Sequence, residues 1–287
     1  MSRHAFRAMG TDVELLLDAE GAEAQAALRA AEAELRRLEA LLSRFLPDSE
    51  LSRLNRLGEL APGPDLLAVA EAALAARELT AGRFDPTVHD AVVAAGYDRT
   101  FELVAARGAP TPAVAARCGG GVEVDAASGT IRLDPGVRLD LGGIAKGYAV
   151  DRALRILAQH APALVDAGGD IALTGKPWPV GVETADGTIT LELAEGALAT
   201  SGRDRRRWRA PEGERHHLID PATGLPSEGD LLRVTAVAGT AAEAEVLAKA
   251  LFLAGDADRA AAEADELGVP AVLVTRAGHT ALAGGLA

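Results

Sequence analysis

The sequence predicts an α+β fold, and three observations support that class. Stretches with helical spacing and stretches that alternate at strand spacing follow one another along the whole chain. No low-complexity linker separates them, and no fixed-period repeat is present. With 287 residues, enough to bury a substantial core, the simplest organisation is a single compact domain over 1–287 with interleaved strands and helices.

Taken in order, residues 5–17 read as a strand, with Phe6 and the run from Val13 to Leu17. An Ala/Glu/Arg-rich helix over about 20–43 follows, because Leu28, Leu35, Leu38 and Leu42 recur at helical spacing and give it one apolar face. A second helix over about 65–80 carries Leu67, Ala70 and Leu74 and stops at Gly82, a residue type favoured just past a helix end. Arg83 to Val88 then begin a loop. Val122, Val124, Ile131 and Leu133 alternate around Ala-Ala-Ser-Gly, a hairpin signal, and a helix over about 144–160 comes after it. Ala163 to Val165 form a short buried strand closed by Gly168-Gly169-Asp170. Residues 179–184 and 188–193 make a hairpin around Asp186-Gly187. Strands near 197–200, 216–219 and 231–238, helices over about 241–254 and 256–267, and a strand at 271–275 complete the chain.

Composition narrows the function. The formal charge of −13 disfavours a general nucleic-acid binder, which needs a basic surface to neutralise phosphates, and leaves room for local basic clusters. A single cysteine, Cys118, excludes an internal disulfide and a cysteine-rich zinc site and fits a reducing compartment. The N-terminal residues contain no apolar stretch of signal-peptide length and no lipobox cysteine, and no segment approaches a membrane span. A cytoplasmic protein without membrane insertion is expected.

Two segments carry chemistry. In residues 139–151 the apolar run before Asp140 reads as a strand end, and Gly142 and Gly143 let the backbone approach a ligand without a Cβ in the way. The helix beyond offers free N–H groups and a positive dipole end to an anion, and Lys146 adds a full charge. The segment is neither a Walker loop nor a Rossmann fingerprint, since neither glycine pattern occurs. In the second segment, His216 and His217 precede Asp220-Pro221. An imidazole exchanges protons near neutral pH, and neighbouring strand residues face opposite ways, so one of the two histidines suits a general base. The other reading is a half-buried histidine bonded to a loop carbonyl beside an Asp-Pro turn. A His-His-x-x-Asp metal site lacks a further ligand at suitable spacing.

Seven segments stand in a telling order: Met9-Gly10-Thr11, Ser43 to Asn55, Phe84 to Val88, Asp140 to Asp151, Gly168-Gly169-Asp170, Thr200-Ser201-Gly202, and His217 to Gly224. Together they resemble the ApbE family of FAD:protein FMN transferases across nearly the whole chain. The resemblance implies an α+β domain with flavin bound in a central cleft. It implies an enzyme that takes FAD with Mg2+ and moves the FMN part onto a threonine of an acceptor flavoprotein through a phosphoester bond, releasing AMP. It further implies that Met9, Phe45 and Ala95-Gly96-Tyr97 face the flavin or adenine, that Ile219 is an apolar contact, and that Asp140 and Lys146 bind FAD. His217 would accept the threonine proton in a reaction that rests on positioning and charge neutralisation.

At one place the chain departs from the family. Where the family pattern has an aspartate and, four residues on, a threonine that hold magnesium with a main-chain carbonyl corresponding to Gly143, this chain has Glu245 and Lys249. Glutamate can ligate magnesium through oxygen; a protonated lysine cannot. The same pair is also the ordinary pattern of a helix-stabilising ion pair. Magnesium dependence is therefore expected to be weakened or absent. Two alternatives use the same site: an FAD-binding protein with little or no transferase activity, and an FAD pyrophosphatase. The run Arg203 to Arg209 is a basic island that reads as a solvated loop or a docking place for an acidic acceptor. Asp125 to Ile131 only partly matches an acceptor motif, so self-modification at Thr130 is not expected.

Overall fold

The hairpin at the N-terminus shows how local chemistry redraws the expected strand at 5–17. It is two strands, β1 (Ser2–Ala8) and β2 (Thr11–Leu17), because Met9 and Gly10 both take left-handed backbone angles, φ 52° and 69°, and close a tight turn. This computed structural model describes residues 1–109 and 111–286. Helix α1 (Ala22–Leu42) buries Leu28, Leu35, Leu38 and Leu42, the stripe its spacing promised.

Helix α2 (Glu50–Leu57) is capped by Ser49, whose side chain accepts the Ser52 N–H at 3.0 Å, and ends at Gly58 with φ 77°. Strand β3 (Glu59–Leu60) leads to α3 (Pro64–Leu79). Its buried face is Leu66, Val69, Ala70, Ala73 and Ala76, so of the three residues expected there only Ala70 belongs to it. Gly82, at φ 82°, donates to the Arg77 carbonyl at 2.8 Å and ends the helix where expected. Short helices α4 (His89–Ala94) and α5 (Phe101–Arg107) follow, then the hairpin β4 (Val122–Asp125) and β5 (Thr130–Leu133).

Helix α6 (Ala145–Leu157) comes next, followed by β6 (Ala163–Ala167), β7 (Asp170–Thr174), the hairpin β8 (Trp178–Thr184) and β9 (Gly187–Leu193), and β10 (Gly196–Gly202). The expected strand near 216–219 is split. β11 (Arg207–Ala210) pairs with β12 (Gly213–His216), and β13 (Ile219–Asp220) pairs with β14 (Leu225–Pro226). The chain continues through β15 (Leu231–Ala238), α7 (Ala241–Phe252), α8 (Ala257–Leu267), β16 (Ala271–Thr275) and β17 (Thr280–Ala283).

These elements, α+β as expected, gather into two compact units. The first comprises Met1–Glu39, Ile144–Ser201 and Asp230–Ala287. Its frame is an eight-stranded sheet in the order β1-β2-β6-β7-β10-β15-β16-β17. Helices α6 and α7 pack on it, α6 against β6 and β7 and α7 against β7 and β15. The two helices come unusually close because Gly147 has no side chain: a Cβ there would stand 2.4 Å from the Ala241 carbonyl oxygen. Asp151 on α6 fastens the same crossing, accepting the Ala241 N–H at 2.8 Å and the Ala242 N–H at 3.1 Å at the start of α7.

The second unit comprises Ala40–Gly143 and Gly202–Gly229. It holds α2 to α5, the sheet β3-β5-β4 and the ribbons β11-β12 and β13-β14. A buried cluster of Ala91, Val92, Ala95, Tyr97, Val104, Ala109, Trp208 and Ile219 forms part of its core. Among the described residues no helix is long and apolar enough to cross a membrane.

Candidate active site

In the second unit, residues far apart in sequence converge on Tyr97. Its ring centroid lies 5.5 Å from that of Phe45, 5.6 Å from Trp208, 6.4 Å from Phe101 and 6.4 Å from His217, the last two edge-on. Tyr97 is only 6% exposed. Burial, the largest influence, raises the pKa of its phenol above the usual value, against the opposing pull of Arg206 and Arg44. Phe45 is half-buried, while Ala95 and Ile219 belong to the buried cluster itself. The Ala95 carbonyl accepts from Trp208 Nε1 at 3.2 Å and Arg215 Nη1 at 3.0 Å. Gly96, at φ 104°, is required there, since a Cβ would lie 2.7 Å from that of Ala109.

Arg44 joins this aromatic group to the acid. Its guanidinium carbon stands 4.2 Å from the Phe45 centroid and 4.8 Å from that of Tyr97. Nη2 donates to the Tyr97 carbonyl at 2.8 Å, and Nε pairs with Asp140 Oδ2 at 2.8 Å. The other Asp140 oxygen accepts the Gly142 N–H at 2.7 Å. The expected strand before Asp140 is absent. Residues 137–141 are irregular and held from both sides, with the Asp140 N–H on the Pro86 carbonyl and Asn55 bonding both the N–H and the carbonyl of Leu139. Asn55 thus satisfies the backbone that a strand partner would otherwise have satisfied.

The two histidines divide, although β12 ends at His216 and His217 lies in the bend beyond it, so the bend and not strand alternation sets their directions. His216 is buried, with Nδ1 accepting the Leu218 N–H at 3.3 Å and Nε2 lying 3.0 Å from the Ser227 carbonyl and 2.7 Å from Arg203 Nη2. It is a structural group. His217, half-buried, turns the other way toward the Tyr97 ring. The Asp-Pro turn is also present, with the Ala222 N–H on Asp220 Oδ1 at 2.9 Å.

The first unit carries the charged residues. Lys146 on α6 donates to the Ala167 carbonyl at 3.0 Å and pairs with Asp170, which is 2% exposed and starts β7 after the Gly168-Gly169 turn. The free helix terminus expected at α6 is partly filled from within, because the Gly147 N–H donates to Glu245 Oε2 at 2.9 Å. Glu245 is 6% exposed, and its carboxyl is pushed up to about 7, chiefly by burial and then by Asp170, with Lys146 and Lys249 pulling the other way. Asp166, which accepts the Gly169 N–H at 2.9 Å, is also raised by burial.

Set against the expectations, Phe45, Ala95, Gly96, Tyr97, Asp140, His217 and Ile219 fall in one neighbourhood of the second unit, and Lys146, Glu245 and Lys249 in one neighbourhood of the first. Met9 occupies the β1–β2 turn, where its N–H donates to Glu39 Oε1 at 2.7 Å. Gly143 follows Gly142 in the turn before α6. Arg44 and Asp170 were missed as site residues. Their signal was adjacency: Arg44 precedes Phe45, and Asp170 closes the glycine turn.

The residues assigned to magnesium do not fit a divalent cation. A lysine stands in place of an oxygen ligand, and Glu245 already shares its surroundings with two ammonium groups and a backbone N–H. Among the described residues no group of three or more His, Cys, Asp and Glu side chains is arranged to hold a metal ion.

Comparison with known proteins gives these clusters a context. A family model described as the ApbE family matches residues 9–279. The FAD:protein FMN transferase of Treponema pallidum is 31% identical over 270 residues, covering 82% of this chain and 73% of the relative. That of Haemophilus influenzae is 31% identical over 277 residues, covering 85% and 77%. The crystal structure of the ApbE protein from Thermotoga maritima aligns with a TM-score of 0.87 at 28% identity, covering 98% of this chain and 96% of that one. With the family model spanning nearly its full length, and with relatives of this identity and coverage, the chain belongs to the ApbE family.

Proposed function

We propose that this chain, acting as one transferase domain over 1–287, moves the FMN part of FAD onto a threonine of an acceptor flavoprotein and releases AMP. The observation that carries this reading is the convergence of Phe45, Asp140 and His217 on Tyr97 and its neighbour Arg44: Arg44 meets Phe45, Tyr97 and Asp140, and His217 stands edge-on to the Tyr97 ring. Aromatic side chains with a charged edge suit a flavin or adenine ring. The threonine hydroxyl attacks the phosphorus of the FMN phosphate, and a phosphoester O–P bond forms as the bond to the AMP phosphate breaks. His217 takes the hydroxyl proton, and AMP leaves with the bonding electrons. In this reading no step requires a metal.

Incubation of the purified protein with FAD and an acceptor domain tests the proposal. AMP and an acceptor heavier by one FMN are expected, and chelation with EDTA should lower the rate by no more than a few-fold. FAD retained unchanged would make the protein a binder. FMN and AMP released without acceptor would make it a pyrophosphatase. A steep magnesium requirement would reject the metal-independent reading alone.

A further inference from the structure

We propose that Arg44 is the positioning residue of the flavin site, setting the Phe45 and Tyr97 rings and the Asp140 carboxylate in one fixed arrangement before the ligand arrives. The inference rests on the flavin reading above and deepens it. Four contacts from one guanidinium support it: the faces of Phe45 and Tyr97, the Tyr97 main-chain carbonyl and the Asp140 carboxylate. The Arg44 side chain is 7% exposed and that of Asp140 is 10%, so the pair is shielded from water and its geometry is held rather than averaged. Phe45 and Asp140 belong to different loops, and Arg44 touches both.

The planar guanidinium matters more than its charge. A guanidinium can lie over two rings while its N–H groups point outward in a fixed fork. An ammonium at the same place keeps the charge but does not bridge a carboxylate and a carbonyl at set angles. Asp140 Oδ2 takes Arg44 and Oδ1 takes the Gly142 N–H, so the acid is oriented from both oxygens. An acid so oriented meets a ligand without reordering the loop.

The test is Arg44→Lys, alone and combined with Asp140→Asn, read by FAD titration and by the separate effects on KM for FAD and on kcat. Arg44→Lys should weaken FAD binding and raise KM by about tenfold while kcat changes by less than about threefold, because ground-state and transition-state binding fall together. Since Arg44 acts through Asp140, the double variant should be little worse than the worse single one. FAD affinity within about twofold of the parent, or losses in the two singles that simply add, would overturn the proposal. If Arg44→Lys does not fold, Asp140→Asn with Arg44 intact replaces it: a Phe45 and Tyr97 environment unchanged in near-ultraviolet circular dichroism, with unchanged FAD affinity, would overturn the proposal equally. A parent protein that takes up no FAD would remove the flavin reading itself, a result distinguishable from a parent that binds and a variant that binds as well.

Discussion

Glu245 illustrates how one buried acid ties stability to pH. Its carboxyl leaves the ordinary value of 4.5 for about 7, mainly because burial disfavours the charged form. The folded state therefore holds the proton more tightly than the unfolded chain. The stability this contributes is complete below about pH 4.5 and is lost as pH rises through about 7. Glu245→Gln keeps an acceptor for the Gly147 N–H and removes the ionisation, so the variant should gain on the parent as pH rises from about 5.5 to 8, by up to a few kcal/mol at about 1.4 kcal/mol per pH unit. Melting temperatures at both pH values check this; a gap that stays constant would show that Glu245 does not titrate in that window. The catalytic role at His217 has its own readout. His217→Gln should keep FAD affinity and lower the transfer rate by about 10²- to 10⁴-fold. The ring stands edge-on to Tyr97, while the ribbon is held by the His216–Ser227–Arg203 contacts, so the fold should survive.

At the level of elements, the α6–α7 crossing is the sharpest constraint in the first unit. Gly147 sits inside a helix, where alanine would ordinarily add about 1 kcal/mol of propensity. Steric contact decides the sign instead, because the new Cβ would lie within 2.4–2.6 Å of the Ala241 and Ala242 backbone. Gly147→Ala should destabilise by about 1–3 kcal/mol net, measured by urea unfolding, and a neutral result would mean that α7 shifts freely. Such crossings are invisible in sequence, which shows only a glycine in a helical run. The long helices were legible because one apolar stripe, Leu28 to Leu42, repeats over several turns. By contrast α2 has only Leu51 and Leu54 buried and α5 only Val104, too few for a period to declare itself. Asp140 was recognised by its neighbours in sequence, but its loop was misread as a strand because the satisfaction of its backbone comes from Asn55, a side chain in another element. The site residues themselves were legible as motifs. What joins them, Arg44 across to Tyr97 and Asp140, depends on contacts that only folding creates.

Over the whole molecule, the chain path makes each unit a composite of distant segments, the first of three and the second of two. The consequence is strongest for the sheet. Strand β2 is paired on one side with β1 and on the other with β6, from Val13 against Ala167 to Leu17 against Ala163. A fragment of residues 1–143 keeps β1 and β2 but none of the six other strands of that sheet, so Val13, Leu15 and Leu17, each at most 2% exposed in the full chain, lose their cover. The same fragment lacks Trp208 and Ile219, which complete the cluster around Tyr97. A two-stranded hairpin has little independent stability in water, and a core with two large side chains removed loses roughly 3–5 kcal/mol for an aromatic one alone. Residues 1–143 expressed by themselves should therefore show helical circular dichroism from α1 and α3 without a cooperative thermal transition, and should bind no FAD. A sharp melt with native near-ultraviolet signal from this fragment would mean that the segments from 144 onward are dispensable for folding, against the pairing that places β2 inside the eight-stranded sheet.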